Sequence, residues 1–469
     1  MLLVYLVPIS FISYYLYTRL TSPLSKLPGP WHTNLSPLPL IIAEFFGRRR
    51  LYIDDLHSTY GPVIRISPNE CSFSSYAAMK EIYTSGGSGF DRTEFYELFM
   101  QFGCKTLFSM PPRGEHSQRK RVLADRYANS NVMREETIEG LRGRAKKFLG
   151  NCLREDGGDA DVYVHLHCFA LDGASQHLFA PYGTNSLSDP EDFKIMAEMS
   201  YADSLRAPYL EYYAPKLAAF FDKLNSKRSR SVPLANEFVL AAVEKPSPAS
   251  YSLLSKLHSK ATELEGDSAA AECMDHLAAG IDTTGDGLCF LMHEISLPEN
   301  AHIQQRLRNE INSSADKNFD QLPYLDAVVK EGLRVFPPIP MSFPRYAPDE
   351  GTVLDGYFIP GHTIVSCQPF TLHKDPVVFP VPERFDPQRW LEDKGELERN
   401  RMFFAFSQGA RGCIGKHLAL AEMKILLREV YGGYRTVLGK EKADMRLDDQ
   451  VISSRPKGQK CRLKFEKVV

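Results

Sequence analysis

Mainly α-helix with small β-sheets, behind an N-terminal transmembrane helix, is the fold class that the sequence predicts. Three observations predict it. Six stretches place apolar residues at helical spacing: 115–128, 135–153, 191–204, 268–297, 300–312 and 322–335. Strand-like pieces are fewer and short. The first eighteen residues, M-L-L-V-Y-L-V-P-I-S-F-I-S-Y-Y-L-Y-T, carry no charged side chain.

That first segment, as a helix, would rise about 27 Å at about 1.5 Å per residue, close to the hydrocarbon thickness of a thin bilayer. Arg19, Lys26, Arg48, Arg49 and Arg50 follow it, and positive charge on that flank keeps it on the cytoplasmic side. A cleaved signal peptide would need a basic start and a small-residue cleavage site; the segment has neither. Tyr14, Tyr15 and Tyr17 suit a membrane interface, while Pro8 leaves a peripheral hairpin open as the other arrangement. The anchor is set at residues 1–20. A hinge at 21–40 follows, because S-P-L-S-K-L-P-G-P-W puts three prolines and a glycine into ten residues and makes a stiff, non-helical connector. No internal repeat, low-complexity tract or second linker follows, so 41–469 reads as one domain.

The strand-like pieces come next in order. Val63–Ser67 follows a Gly-Pro turn, 352–359 and 363–367 are separated by Pro360-Gly361, and 461–469 alternates partly after Lys457-Gly458. Net charge is −2, from 56 basic and 58 acidic residues, which argues against a nucleic-acid partner or a strongly charged substrate. The nine cysteines are scattered with no C-x-x-C pair. Neither a zinc site nor a disulfide framework is indicated, and unpaired thiols fit a reducing, cytosol-facing environment.

Two runs carry chemistry. In F-S-Q-G-A-R-G-C-I-G, residues 406–415, Cys413 is framed by Gly409, Gly412 and Gly415. Glycines let backbone approach a flat ligand and take positive φ, and backbone N–H groups aimed at sulfur favour the thiolate. Arg411 could pair with an acidic group on that ligand. The combination suits a cysteine that ligates haem iron; a lone cysteine elsewhere would be a small buried hydrophobe. In A-A-G-I-D-T-T, residues 278–284, Gly280 weakens a long apolar helix by about 1 kcal/mol relative to alanine. The side chains of Asp282, Thr283 and Thr284 can bond backbone and open the ladder. The pattern leaves two readings: a notch for a small ligand, or a tolerated glycine beside a solvated polar patch.

The first run resembles the haem-binding signature of the cytochrome P450 family at Phe406, Gly409, Arg411, Cys413 and Gly415, and the second resembles that family's oxygen-activation segment throughout. The resemblance runs from the anchor to the C-terminal strand and is strongest over 276–422. It implies the cytochrome P450 fold, a helical domain that sandwiches haem b (iron protoporphyrin IX). It implies that Cys413 is the axial thiolate, that Phe406 packs near it and that Arg411 contacts a propionate. Thr283 would hold dioxygen and water, Asp282 would feed protons inward, and Ala278, Ala279 and Gly280 would lie over the porphyrin. Glu331, Arg334 and Arg384 would form the family's buried triad. His116, Lys120 and Arg345 would join Arg411 at the propionates. Lys120 departs from the more usual arginine and lacks its bidentate fork. In H-S-Q-R-K-R, Arg119 and Arg121 read as a solvated basic face. The connector over 310–322 is shorter than usual.

The activity so implied is a monooxygenase that hydroxylates or epoxidises a hydrophobic small molecule at the endoplasmic reticulum membrane, with the domain cytoplasmic. No flavin or nicotinamide fingerprint appears, so electrons would come from NADPH–cytochrome P450 reductase, with cytochrome b5 as an optional second donor. They would dock where Arg121 and Lys416 lie. The aromatic segment G-F-D-R-T-E-F-Y-E-L-F-M-Q-F-G falls where the family's recognition loop lies, though Phe and Tyr also anchor loops. Residues 339–343 and 201–221 would complete the pocket. The style of P-P-I-P-M-S-F-P-R is similar to fungal enzymes that tailor terpenoids, polyketides or alkaloids. A haem-thiolate isomerase or dehydratase that needs no dioxygen, and a non-enzymatic haem carrier, are the alternatives; the Asp282–Thr283 pair favours the monooxygenase.

Overall fold

The computed structural model describes residues 2–84, 89–201, 206–224, 232–259, 264 and 267–468; the side chains of 2–6, 206 and 221–224 lie outside that description. The six expected helices form as Arg113–Tyr127, Glu135–Arg154, Pro190–Ser200, Asp267–Ile295, Ala301–Ser313 and Pro323–Val335. The third expectation ran on to 204, and 202–204 fall outside the described residues. The short connector after Ala301–Ser313 works because Glu310 caps the next helix, its carboxylate accepting the N–H groups of Tyr324 and Leu325 at 2.8 Å each.

The centre of the molecule is Asp267–Ile295, 29 residues and about 43 Å long. It lies against Val162–Phe179, a helix buried along nearly its whole circumference. A helix without a polar face has no amphipathic period, which is why periodicity passes over it. Two glycines let the pair approach. A Cβ at Gly280 would stand 2.8 Å from the Cβ of Ala174, and one at Gly285 would stand 2.9 Å from the His167 ring. Gly280 therefore serves close packing, and the helix runs unbroken through it instead of opening.

Among the described residues, four small sheets surround the helices. Val63–Ser67 pairs antiparallel with Glu70–Phe73, which runs parallel to Ile364–Ser366, which pairs antiparallel with Arg345–Tyr346. Asp159–Asp161, Arg462–Lys467 and Tyr434–Leu438 make a second sheet. The stretch 352–359, expected as one strand, is a hairpin of Thr352–Leu354 and Tyr357–Ile359. Asp355 and Gly356 take positive φ at its turn, the Asp-Gly signature of a tight two-residue hairpin.

Leu2–Thr21 is a helix with Pro8 inside it. The expected membrane span needs correction in one respect: among the described residues, no helix is long and apolar enough to cross a membrane. The following connector is held by a single buried cation. Arg65 donates to Leu24 O at 2.8 Å, Leu27 O at 3.1 Å, Pro30 O at 3.2 Å and Thr33 Oγ1 at 3.1 Å.

Candidate haem-thiolate site

Of the nine cysteines, Cys413 alone is exposed. It lies deep among protein atoms yet its thiol remains accessible. Its loop closes on itself: Cys413 N–H donates to Phe406 O at 2.9 Å and Gly412 N–H to Gly409 O at 3.0 Å. Gly409 has φ +69°, and a Cβ there would stand 2.1 Å from Tyr83 O, so no other residue fits. Gly412 and Gly415 sit at φ −60° and −81°, so the expected positive φ holds for one glycine of the three. Gly415 instead begins the helix Lys416–Gly433. Burial pushes the Cys413 thiol up, while the N–H groups of Gly415 and Lys416 and the charges of Lys120 and Lys416 pull it down. A metal cation would complete the same trend and hold the thiolate.

A cluster of cations borders this loop. Arg411 donates to the carbonyls of Met110 and Pro111, both at 2.6 Å. Lys120 Nζ donates to Ala410 O at 2.7 Å and Gly412 O at 2.9 Å. Arg345, at the edge of the four-stranded sheet, donates to Tyr96 OH at 2.7 Å. Arg92 donates to Leu107 O at 3.1 Å and to Phe108 O. His116 is buried, and burial together with Arg411, Arg92, Lys120 and Arg345 pushes its pKa down to about 2. Burial and its cationic neighbours also lower Arg411, to about 10. Among the described residues, the one carboxylate within salt-bridge range of this group is Asp91, 3.9 Å from Arg411. His116 Nδ1 and Arg92 Nε have no hydrogen-bond partner there. Buried cations without anions are costly, and orphaned buried polar atoms call for a ligand. The two propionates of a haem fit both needs. Sequence reasoning missed Arg92; its signal was a lone base inside an aromatic segment. Arg119, read as solvated, instead pairs with buried Glu272 at 2.7 Å, whereas Arg121 and Lys416 are exposed.

The second chemistry-bearing run lies on the long helix. From Leu277 to Met292 it is buried except for a window at Ala278, Ala279, Gly280, Asp282 and Thr283. Thr283 Oγ1 donates to Ala279 O at 2.6 Å, so the hydroxyl is held by the helix itself. Toward the surface, Phe95, Tyr96, Phe99, Phe108 and Tyr212 meet edge to face, joined by Tyr209. This brings the aromatic segment and the Arg206–Tyr213 helix together.

The buried triad differs from expectation at one member. Glu331 is fully buried, and Arg334 donates to both its oxygens at 2.8 and 2.9 Å. Arg384 does not reach it; its side chain is 64 % exposed and pairs with Asp386. The third member is Arg389, 6 % exposed, donating to Glu331 Oε1 at 3.0 Å, with Trp390 Nε1 on Oε2 at 2.8 Å. Arg384 contributes only its carbonyl, to Arg334 and Arg389. P-E-R-F and P-Q-R-W stand five residues apart, and burial selects the second. His373 then links triad to loop, its Nδ1 donating to Arg334 O at 3.0 Å and its Nε2 accepting Phe404 N–H at 2.8 Å.

Comparison with known proteins agrees with this geometry. The chain is 28% identical to cytochrome P450 monooxygenase cypX of Dothistroma septosporum, covering 97% of this chain and 94% of that one. It is 28% identical to cytochrome P450 monooxygenase stcB of Emericella nidulans, over 94% and 88%. It is 27% identical to cytochrome P450 monooxygenase aflV of Aspergillus parasiticus, over 96% and 93%. The profile described as Cytochrome P450 matches residues 28–462. The chain belongs to the cytochrome P450 family and is an oxidoreductase that incorporates oxygen.

Proposed function

We propose that this enzyme hydroxylates or epoxidises a hydrophobic small molecule, a fungal secondary metabolite of the terpenoid, polyketide or alkaloid kind. The observation that carries the proposal is the pairing of one accessible cysteine at a helix N-terminus with a cluster of buried, anion-poor cations. Haem b, when bound, supplies the oxygen activation and insertion chemistry. Cys413 holds the iron, and Arg92, His116, Lys120, Arg345 and Arg411 hold the propionates. Phe406 packs beside the loop, under the Lys416 ammonium 5.7 Å from its ring centre. Thr283 presents a hydroxyl and Asp282 a carboxylate at the accessible window, where they hold and pass protons. The aromatic cluster excludes water and favours an apolar substrate. Fungal relatives named as monooxygenases support the reaction type.

Electrons come from NADPH–cytochrome P450 reductase, with cytochrome b5 as an optional second donor, docked on the face that carries Arg121 and Lys416. The chain sits at the endoplasmic reticulum membrane, anchored by 1–20 and hinged by 21–40, with 41–469 in the cytoplasm. Exposed apolar side chains on the outer turns support that seat: Ile9, Phe11 and Ile12 on the first helix, Trp31 in the connector, Leu38 and Ile42 on the Leu38–Phe45 helix, and Leu217 and Phe220 on Pro215–Leu224.

The test is a carbon-monoxide difference spectrum of purified wild type and Cys413→Ser, followed by reductase-coupled turnover with an extract of the source organism and product identification. A band near the thiolate position in wild type, lost in Cys413→Ser, is expected. Its absence from a haem-loaded wild type would remove the assignment.

A further inference from the structure

The long helix carries a second acid that the chemistry above leaves unused. Asp286 follows Asp282 by four residues, on the same face and about 6 Å further along the axis, and it is buried. Against it, from Val162–Phe179, stands His167, fully buried, with Nε2 3.3 Å from Asp286 Oδ1. Neither atom has a hydrogen-bond partner among the described residues. The other ring nitrogen is committed: Nδ1 lies 2.7 Å from Tyr163 O, and because a carbonyl only accepts, Nδ1 carries the hydrogen. Nε2 is therefore the nitrogen that titrates. Room for the ring is built into the helix at Gly285, where a Cβ would stand 2.9 Å from it. Tyr163 covers the imidazole at 4.1 Å between ring centres.

An imidazole lone pair facing a buried carboxylate is a state that both groups avoid. The pair thus retains one proton between Nε2 and Oδ1. Burial raises the Asp286 carboxyl to about 6. Burial opposes a charged imidazole, but Asp286 and Asp282 outweigh it and raise His167. The other titratable or charged groups that bear on the pair are Asp282 and Cys289 of the same long helix, Tyr163, and Arg455 of the Ser454–Pro456 strand. Tyr163 leads outward, its hydroxyl accepting from half-buried Gln459 at 3.4 Å.

We propose that His167 and Asp286 form a proton store that refills Asp282, making them positioning residues for delivery at Thr283. The inference rests on the proposed Asp282–Thr283 relay. One proton leaves His167 Nε2 for Asp286, one passes from Asp286 to Asp282 across a single helical turn, and one from water restores the imidazolium. Only N–H and O–H bonds change, and no electron moves.

The test uses the full-length holoenzyme with reductase, NADPH and dioxygen alone, and measures the share of consumed NADPH recovered as hydrogen peroxide. Asp286→Asn and His167→Gln should raise that share severalfold and enlarge the solvent isotope effect. The double variant His167→Leu/Asp286→Leu removes the ion pair without leaving half of it buried, so it should retain thermal stability yet keep the high peroxide share. A purely structural pair predicts a wild-type share in that double variant, and this result would overturn the proposal. A second readout is independent of turnover. In ¹⁵N-histidine spectra, the signal missing from His167→Gln should titrate at its ε nitrogen, with a lower midpoint in Asp286→Asn; an ε nitrogen that does not titrate between pH 5 and 9 would also overturn it. Asp282→Asn separates the two layers. If it leaves the peroxide share unchanged, the relay itself fails. If it raises the share while the His167 and Asp286 variants do not, only the store fails.

Discussion

Arg389→Ala should damage this protein far more than Arg384→Ala, although the two arginines sit in nearly identical local sequence. The Glu331 carboxylate has no solvent exposure and accepts five hydrogen bonds: two from Arg334, and one each from Arg389 Nε, Trp390 Nε1 and the Asp386 N–H. Removing Arg389 takes away one of the two charges that balance it and the bond it donates to Pro380 O at 3.2 Å, and leaves Arg384 O with Arg334 alone. Stripping one partner from a buried ion pair costs roughly 3–5 kcal/mol. Arg384 keeps its structural carbonyl on substitution and loses only a surface pairing with Asp386, worth about 0–1 kcal/mol. With an unfolding entropy of about 2.1 cal/mol/K per residue, the difference corresponds to roughly 2–5 °C in Tm for a chain of this length. Thermal unfolding of the two variants, with haem content from the carbon-monoxide spectrum, decides it. Equal losses, or a larger loss for Arg384→Ala, would refute the reasoning.

Acid should destabilise the fold early. Burial holds His177 and His373 near pKa 3, against about 6.5 when unfolded. Their stability contribution is complete above pH 6.5 and is lost as pH falls, by roughly 2 kcal/mol each at pH 5; urea unfolding at pH 7.5 and 5 measures it, and equal midpoints would contradict it. Glu422 is raised to about 8 by burial, with Thr284 Oγ1 3.3 Å from its Oε2. Its folded pKa lies above the unfolded value, so it costs stability increasingly as pH rises from about 4.5 toward 8. Glu422→Gln should therefore raise Tm at pH 9 and change it little at pH 5. Arg92→Leu should lower haem retention on dilution severalfold, whereas Arg121→Ala should leave retention intact and weaken only the salt-dependent reductase rate; haem loss to apomyoglobin and stopped-flow reduction separate the two.

Sequence carried the amphipathic helices, the Cys413 loop and the polar window at 282–283, because each writes its function into spacing. It failed where burial, not pattern, decides. Val162–Phe179 is buried on nearly all sides, polar residues included, and shows no period. Two P-x-R-aromatic runs look alike until one arginine is found in water and the other on Glu331. Gly280 read as a weak point in a helix and is a packing contact with Ala174. Arg92 lies in a loop, where no periodicity points to a partner 250 residues away, yet the fold brings its backbone beside that of Arg345.

The four bonds of Arg65 make the proline-rich connector a bracket, not a tether. Gly29 seals it: a Cβ there would stand 2.7 Å from the Arg65 carbonyl. A flexible leash would let the body tumble above a bilayer and point its entrance anywhere. A chain clamped at 24, 27, 30 and 33 has one bearing relative to the helix that precedes it, so on the proposed membrane seat one guanidinium far from the chemistry would set the direction from which a greasy molecule arrives.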